Sequence, residues 1–153
     1  MALVYLDTSA LVKLFIIENG TDLVTDLVRK ENGHAVAVLE LARVELHAAI
    51  HRRERVGDVK AGTASEAREM LEYGLRTQYE QVEVDSTVLN RACTLIDRHH
   101  LRAYDAMQLS GAIAHFTRRR ENGLFVTADK SLFDAATEEG VQALNPSSPS
   151  TNT

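Results

Sequence analysis

An α/β sandwich of three layers, with helices on both faces of a mostly parallel central sheet, is the fold class this sequence predicts. Three observations carry the prediction. Residues 3–6 (LVYL), 35–39 (AVAVL) and 124–128 (LFVTA) are short, unbroken apolar runs, the signature of strands buried on both faces. The segments between them place apolar residues at helical spacing. Strands alternating with helices in this way are the mark of a parallel sheet with helical crossovers.

Taken in order, the first strand at 3–6 is followed by a helix over 21–31, where Leu23, Val24, Leu27 and Val28 share one side. After the second strand comes a helix over 41–56, then a loop at 57–62 (GDVKAG). Thr63 and Glu66 have the spacing of a capping box, so the next helix is expected to start there and to bury Ala67, Met70, Leu71 and Leu75. A weaker strand is expected at 81–84 (QVEV). The helix over 86–99 is expected to bury Val88, Leu89, Ala92, Cys93 and Ile96, and the longest helix runs over 103–117. The strand at 124–128 and a weak one at 141–144 (VQAL) complete the set. Residues 1–145 are expected to form one domain, and the Pro-, Ser-, Thr- and Asn-rich residues 146–153 a disordered tail.

Composition narrows the class. The 153 residues are 44% hydrophobic and 25% charged, as in globular domains, and no apolar run approaches the roughly 20 residues that span a bilayer. Asp7 interrupts the first apolar run and no basic segment precedes it, so a secretory signal is not expected and the cytoplasm is the expected compartment. Cys93 is the only cysteine, which excludes an internal disulfide. A net charge of −5 argues at first against a nucleic-acid partner. Basic clusters nevertheless occur at 51–55 (HRRER), 98–102 (RHHLR) and 117–120 (TRRR).

The acids carry the chemical information. Asp7 and Asp129 each end a strand, on the edge where α/β sheets gather ligands, and Asp85 follows the same local rule. An Asp between strand and helix is also a good N-cap, and position alone favours capping for all three. Glu45 and Asp105 discriminate better. Steps of 100° place Glu45 among Leu41, Ala48 and Ala49, and Asp105 on the stripe of Leu109, Ala112 and Phe116. A carboxylate on a core-facing stripe is paired, protonated or metal-bound, and Arg43, Arg52 or Arg102 are the candidate ion-pair partners.

Four carboxylates meeting at one sheet edge would repel one another unless cations neutralised them, and hard dications such as Mg²⁺ or Mn²⁺ match oxygen donors. Discounting those four acids takes the net charge from −5 to −1, which readmits an anionic substrate. Carboxylate-held dications serve in-line displacement at phosphorus, one generating the attacking hydroxide from water and another stabilising the leaving oxygen. Competing chemistries lack their motifs: there is no GxGxxG, no GxxxxGK[ST] and no GxSxG. His47 and His51 have zinc-pair spacing without the HExxH glutamate and read as solvated. His99 and His100 suit a helix end. A phosphatase with a strand-end Asp wants a second Asp two residues on, where Ser9 stands.

Four blocks, YLDTSALVKLF, LARVELHAAI, LRAYDAMQLSGAIA and LFVTADKSLFDAA, resemble in order the motifs of PIN-domain nucleases, above all the VapC-like toxins of toxin–antitoxin pairs. The resemblance covers residues 2 to about 145. It implies a PIN-like fold in which Asp7, Glu45, Asp105 and Asp129 bind Mg²⁺ or Mn²⁺ and hydrolyse RNA, with Thr127 orienting the site from behind. It further implies a structured RNA substrate such as transfer or ribosomal RNA, an antitoxin partner and a homodimer. Asp134 is expected at the surface, and Thr8 and Ser9 are expected to satisfy first-turn amides. The rival from another class is a catalytically silent module whose acidic pocket binds a basic protein.

Overall fold

The computed structural model describes residues 2–148. Five parallel strands, β1 (Leu3–Leu6), β2 (Ala35–Leu39), β3 (Tyr79–Val82), β4 (Gly123–Val126) and β5 (Gln142–Leu144), lie in the order β3-β2-β1-β4-β5. The chain winds outward from β1 through β2 to β3, then returns to the far side of β1 for β4. The order therefore reverses between β1 and β4, and an open α/β sheet offers its ligand crevice beyond the carboxyl ends of the strands at that point.

Alternation along each strand sends side chains to opposite faces. Val4, Leu6, Val36, Val38 and Val126 point into the layer formed by α1 (Thr8–Leu11), α2 (Thr21–Val28), α3 (Ala42–Arg55) and α4 (Ala61–Thr77). Leu3, Tyr5, Ala37, Leu39 and Phe125 face the layer of α5 (Ser86–His99), α6 (Ala103–Arg119) and α7 (Lys130–Glu138). Helices on both faces make the three-layer arrangement the sequence predicts. Among the described residues no helix is long and apolar enough to cross a membrane.

Several boundaries and faces differ from the sequence expectation. The third strand starts two residues early, because its register follows β2 and the Val84 amide leaves the ladder to donate to the Glu40 carboxylate at 2.8 Å. Helix α4 begins at Ala61 with Lys60 in the capping position, so the Thr63–Glu66 capping box does not set its start. Its buried stripe is Ala64, Ala67, Leu71 and Leu75, and Met70, 100° off that stripe, is exposed. On α5 the stripe of Val88, Ala92 and Leu95 faces the core, and Leu89 and Cys93 turn to solvent for the same reason.

Of the residues expected in the tail, Pro146 to Ser148 are placed and 149–153 lie outside the described residues. Pro146 packs on Gly20, whose φ of 92° and contact with the Pro146 carbonyl leave no room for a side chain. The Asn19 amide donates to the Ser147 carbonyl at 3.1 Å.

Candidate metal centre

The chain leaves β1 at Asp7 and turns at once into α1. One Asp7 oxygen, Oδ1, accepts from the Ala10 amide at 2.9 Å and from the Ser9 hydroxyl at 2.7 Å. The other, Oδ2, accepts from the Thr127 hydroxyl at 2.6 Å. Thr127 is fully buried just beyond β4, and its oxygen also accepts from the Asp129 amide at 3.1 Å, which ties Asp7 to Asp129 across the β1/β4 crevice. Asp129 caps α7 through the Leu132 amide at 2.8 Å.

Glu45 lies in the first turn of α3. The buried face there is Ala42, Leu46 and Ile50, so Glu45 sits at the flank of the core stripe, partly buried, and Ala48 is exposed. Its Oε2 accepts from the Thr8 hydroxyl and from the Gln108 amide nitrogen at 3.4 Å. Its Oε1 is buried and has no hydrogen-bond partner among the described residues. Asp105, in the first turn of α6, stands one step from the buried Ala106 and forms no hydrogen bond among the described residues.

Electrostatics join the four acids. Burial pushes the Asp7 carboxyl up to about 6 against the pull of its three donors, and the Asp105 charge adds to the rise. Asp105 is itself raised by burial, then by the Asp129 and Glu45 charges, with Arg102 pulling the other way. Tyr5, under the cluster, is raised well above its ordinary value by burial and by Asp7 and Glu45. Among the described residues none of the four acids forms a salt bridge: Arg43 pairs with Glu72 at 2.8 Å. Nor do any three His, Cys, Asp or Glu side chains there stand pre-assembled round one ion position, so the cluster is coupled but open. The donor set fits a hard dication, because it is all oxygen, mutually repulsive, and leaves a buried carboxylate oxygen without a partner.

Residues 4–138 match the PIN domain family. The chain belongs to that family. Two Mycobacterium tuberculosis proteins, Ribonuclease VapC45 of strain CDC 1551/Oshkosh and Ribonuclease VapC49 of strain H37Rv, are each 34% identical to this PIN-domain chain over 115 residues, spanning 74% of it and 77% of themselves. Solved structures share the fold: a toxin–antitoxin complex from Klebsiella pneumoniae (TM-score 0.64, 16% identity, 94% of this chain and 97% of that one) and PAE2754 from Pyrobaculum aerophilum (TM-score 0.62, 21% identity, 94% and 92%).

Other sequence candidates in this PIN domain go elsewhere. Asp85 caps α5 through the Val88 amide at 2.9 Å and faces Arg118 at 3.9 Å. Asp134 is exposed and pairs with Lys130 at 2.7 Å. His47 and His51 are solvated. His99 is held by Glu139 at 2.7 Å and Glu138 at 3.2 Å. Of the basic clusters, 98–102 reaches the acids, through Arg102; in the other two, Arg53 pairs with Glu18 at 2.8 Å and Arg119 with Glu80 at 3.2 Å. Thr8 and Ser9 differ from expectation: their hydroxyls hold the Glu45 and Asp7 carboxylates instead of helix amides. Two polar partners of this cluster, Gln108 and Tyr5, were not among the sequence candidates, since an amide on the buried α6 stripe and a tyrosine in an apolar strand both read as core.

A cleft of about 890 Å³, mostly apolar, lies away from the acids between Phe15, Val28 on α2, and Met70 and Tyr73 on α4.

Proposed function

We propose that this PIN-domain protein is an endoribonuclease dependent on Mg²⁺ or Mn²⁺, with Asp7, Glu45, Asp105 and Asp129 as the ion's ligands. The observation that carries the reading is the buried, partnerless Glu45 Oε1 among acids that repel one another and have no salt bridge within the described residues. Bound there, the ion supplies Lewis acidity towards a phosphodiester and towards water. The chain's own part is positional. Ser9, Ala10 and Thr127 hold both oxygens of Asp7 in place, and Thr127 couples that carboxylate to the backbone of Asp129. Asp105, free of hydrogen bonds among the described residues, would be free to turn towards the ion. Arg102 beside it offers a positive charge to the RNA backbone.

The two mycobacterial relatives named ribonucleases support RNA as the substrate. Hydrolysis would leave a 5′ phosphate and a 3′ hydroxyl on a structured RNA such as transfer or ribosomal RNA. The neighbour solved as a toxin–antitoxin complex supports a role as the toxin of such a pair, held in check by an antitoxin. The proposal further takes the protein to act as a homodimer in the cytoplasm, as the motif resemblance implies. The exposed Met70 and Tyr73 of the apolar cleft give a partner surface to bury.

Purified protein incubated with total cellular RNA in Mg²⁺, Mn²⁺ or chelator, beside Asp7→Asn, tests the reading. Cleavage that needs the dication and the Asp7 carboxylate is the expected result. Cleavage surviving chelation would refute the mechanism, and RNA or basic-protein binding with no cleavage under any condition would favour a silent module.

A further inference from the structure

Gln108 is an amide in an apolar setting. It is 2% exposed, on the α6 stripe that packs against the sheet, among residues that are mostly apolar. Every polar atom of its side chain is engaged by the floor of the acid cluster. Its Nε2 donates to the Thr8 hydroxyl at 3.1 Å and to Glu45 Oε2 at 3.4 Å, and its Oε1 accepts from the Tyr5 hydroxyl at 3.3 Å. The Thr8 hydroxyl in turn donates a hydrogen bond to the same Glu45 oxygen.

The direction of this chain matters. Turning the Gln108 amide over would set its carbonyl against the Glu45 carboxylate, two acceptors face to face, and would take the acceptor from the Tyr5 hydroxyl. The acceptor-only Glu45 carboxylate thus fixes which way the amide faces, and Tyr5, a fully buried residue of β1, braces it in that orientation by donating to its Oε1. Gly111 leaves the hydroxyl its room, since a Cβ there would lie 2.9 Å from the Tyr5 oxygen and 2.8 Å from Leu39. With Oε2 pinned from below by two donors, Oε1 is the oxygen left over, and it is the one that lacks a partner.

We infer that Gln108, braced by Tyr5, is the positioning residue that turns Glu45 Oε1 towards the dication and so sets metal affinity. The inference rests on the reading of the four acids as metal ligands. Outer hydrogen-bond partners of ligating carboxylates change metal affinity by roughly 10–100-fold, which is the size expected on removing the Gln108 donor.

The test is Mn²⁺ binding to the whole protein, followed by electron paramagnetic resonance of free and bound ion, for wild type, Gln108→Met, Tyr5→Phe and the double variant. The melting temperature without metal is the folding control. Gln108→Met should bind Mn²⁺ roughly 10–100-fold more weakly, with an altered bound-ion line shape. Tyr5→Phe should weaken binding by less, and should add nothing in the Gln108→Met background, because it acts through the amide. Wild-type binding with Gln108→Met within about two-fold of it would overturn the positioning role and leave the four-acid reading intact. No binding by wild type would overturn both. If Gln108→Met does not fold, Tyr5→Phe decides: affinity unchanged within about two-fold would overturn the inference.

Discussion

Carboxylates at the mouth of the β1/β4 crevice and carboxylates around the rest of the molecule live under opposite electrostatics. Glu139 is held by His99 and Arg98, Glu80 by His115 and Arg119, and Glu18 by Lys13 and Arg53. Hydrogen bonding from His99, then from Arg98, keeps Glu139 below the ordinary carboxyl range. Burial and neighbouring acids push Asp7 and Asp105 the other way. The fold thus supplies cations to these three peripheral acids and leaves those at the crevice to repel each other. An arrangement that costs stability in the empty protein makes physical sense where the missing charge arrives from solvent.

The strongest way to break this contrast is to neutralise one acid of each kind and measure RNA cleavage. Dications at such sites supply several kcal/mol of transition-state stabilisation, so Asp105→Asn should lower cleavage by more than about 100-fold. Glu139→Gln should leave the rate within about two-fold. Equal losses in both variants would erase the distinction.

Stability against pH separates the two regions by sign. Without metal the native state keeps on Asp7, at about 6, a proton that the unfolded chain gives up from its ordinary 3.8. The contribution of Asp7 is therefore most favourable below about 4 and is lost as pH rises through 6, a change of ~3 kcal/mol at 1.36 kcal/mol per unit. Urea unfolding of metal-free wild type and Asp7→Asn across that window should show a steeper loss with rising pH in wild type, and saturating Mg²⁺ should flatten it. Identical slopes would contradict the assignment of strain to Asp7.

Glu139 gives the smaller effect in the opposite direction. Its folded pKa is depressed, so its contribution is present above the ordinary carboxyl range and lost as pH falls through the depressed value. Glu139→Gln should cost about 0.5–1 kcal/mol at neutral pH, the scale of a largely surface ion pair, and less in acid. The same urea titration reads it, and a loss that grew as pH fell would be the wrong sign.

Much of this arrangement was legible in the sequence. Asp7 and Asp129 are placed by the ends of the apolar runs at 3–6 and 124–128, and parallel pairing brings those ends together. Capping and clustering, weighed as rivals for these acids, turn out to be compatible. A carboxylate has about four lone-pair sites, so Asp7 caps the Ala10 amide and still faces the other acids. Helical spacing puts Asp105 on the stripe of Leu109, Ala112 and Phe116, all three of which are buried, but it set Glu45 100° too far inward, because the core face of α3 is decided by the cluster it shares with α1, α4 and the sheet. Tyr5 and Gln108 were hidden because a tyrosine in an apolar strand and an amide on a buried stripe both read as core. Only the tertiary contact between β1 and α6 gives them polar work.

Calorimetric titration of metal-free protein with Mg²⁺, run beside Glu45→Gln, asks whether the crevice takes its cation from solvent. Saturable uptake by wild type that Glu45→Gln abolishes or sharply weakens is the predicted result. No uptake by wild type, or uptake that Glu45→Gln leaves unchanged, would contradict it.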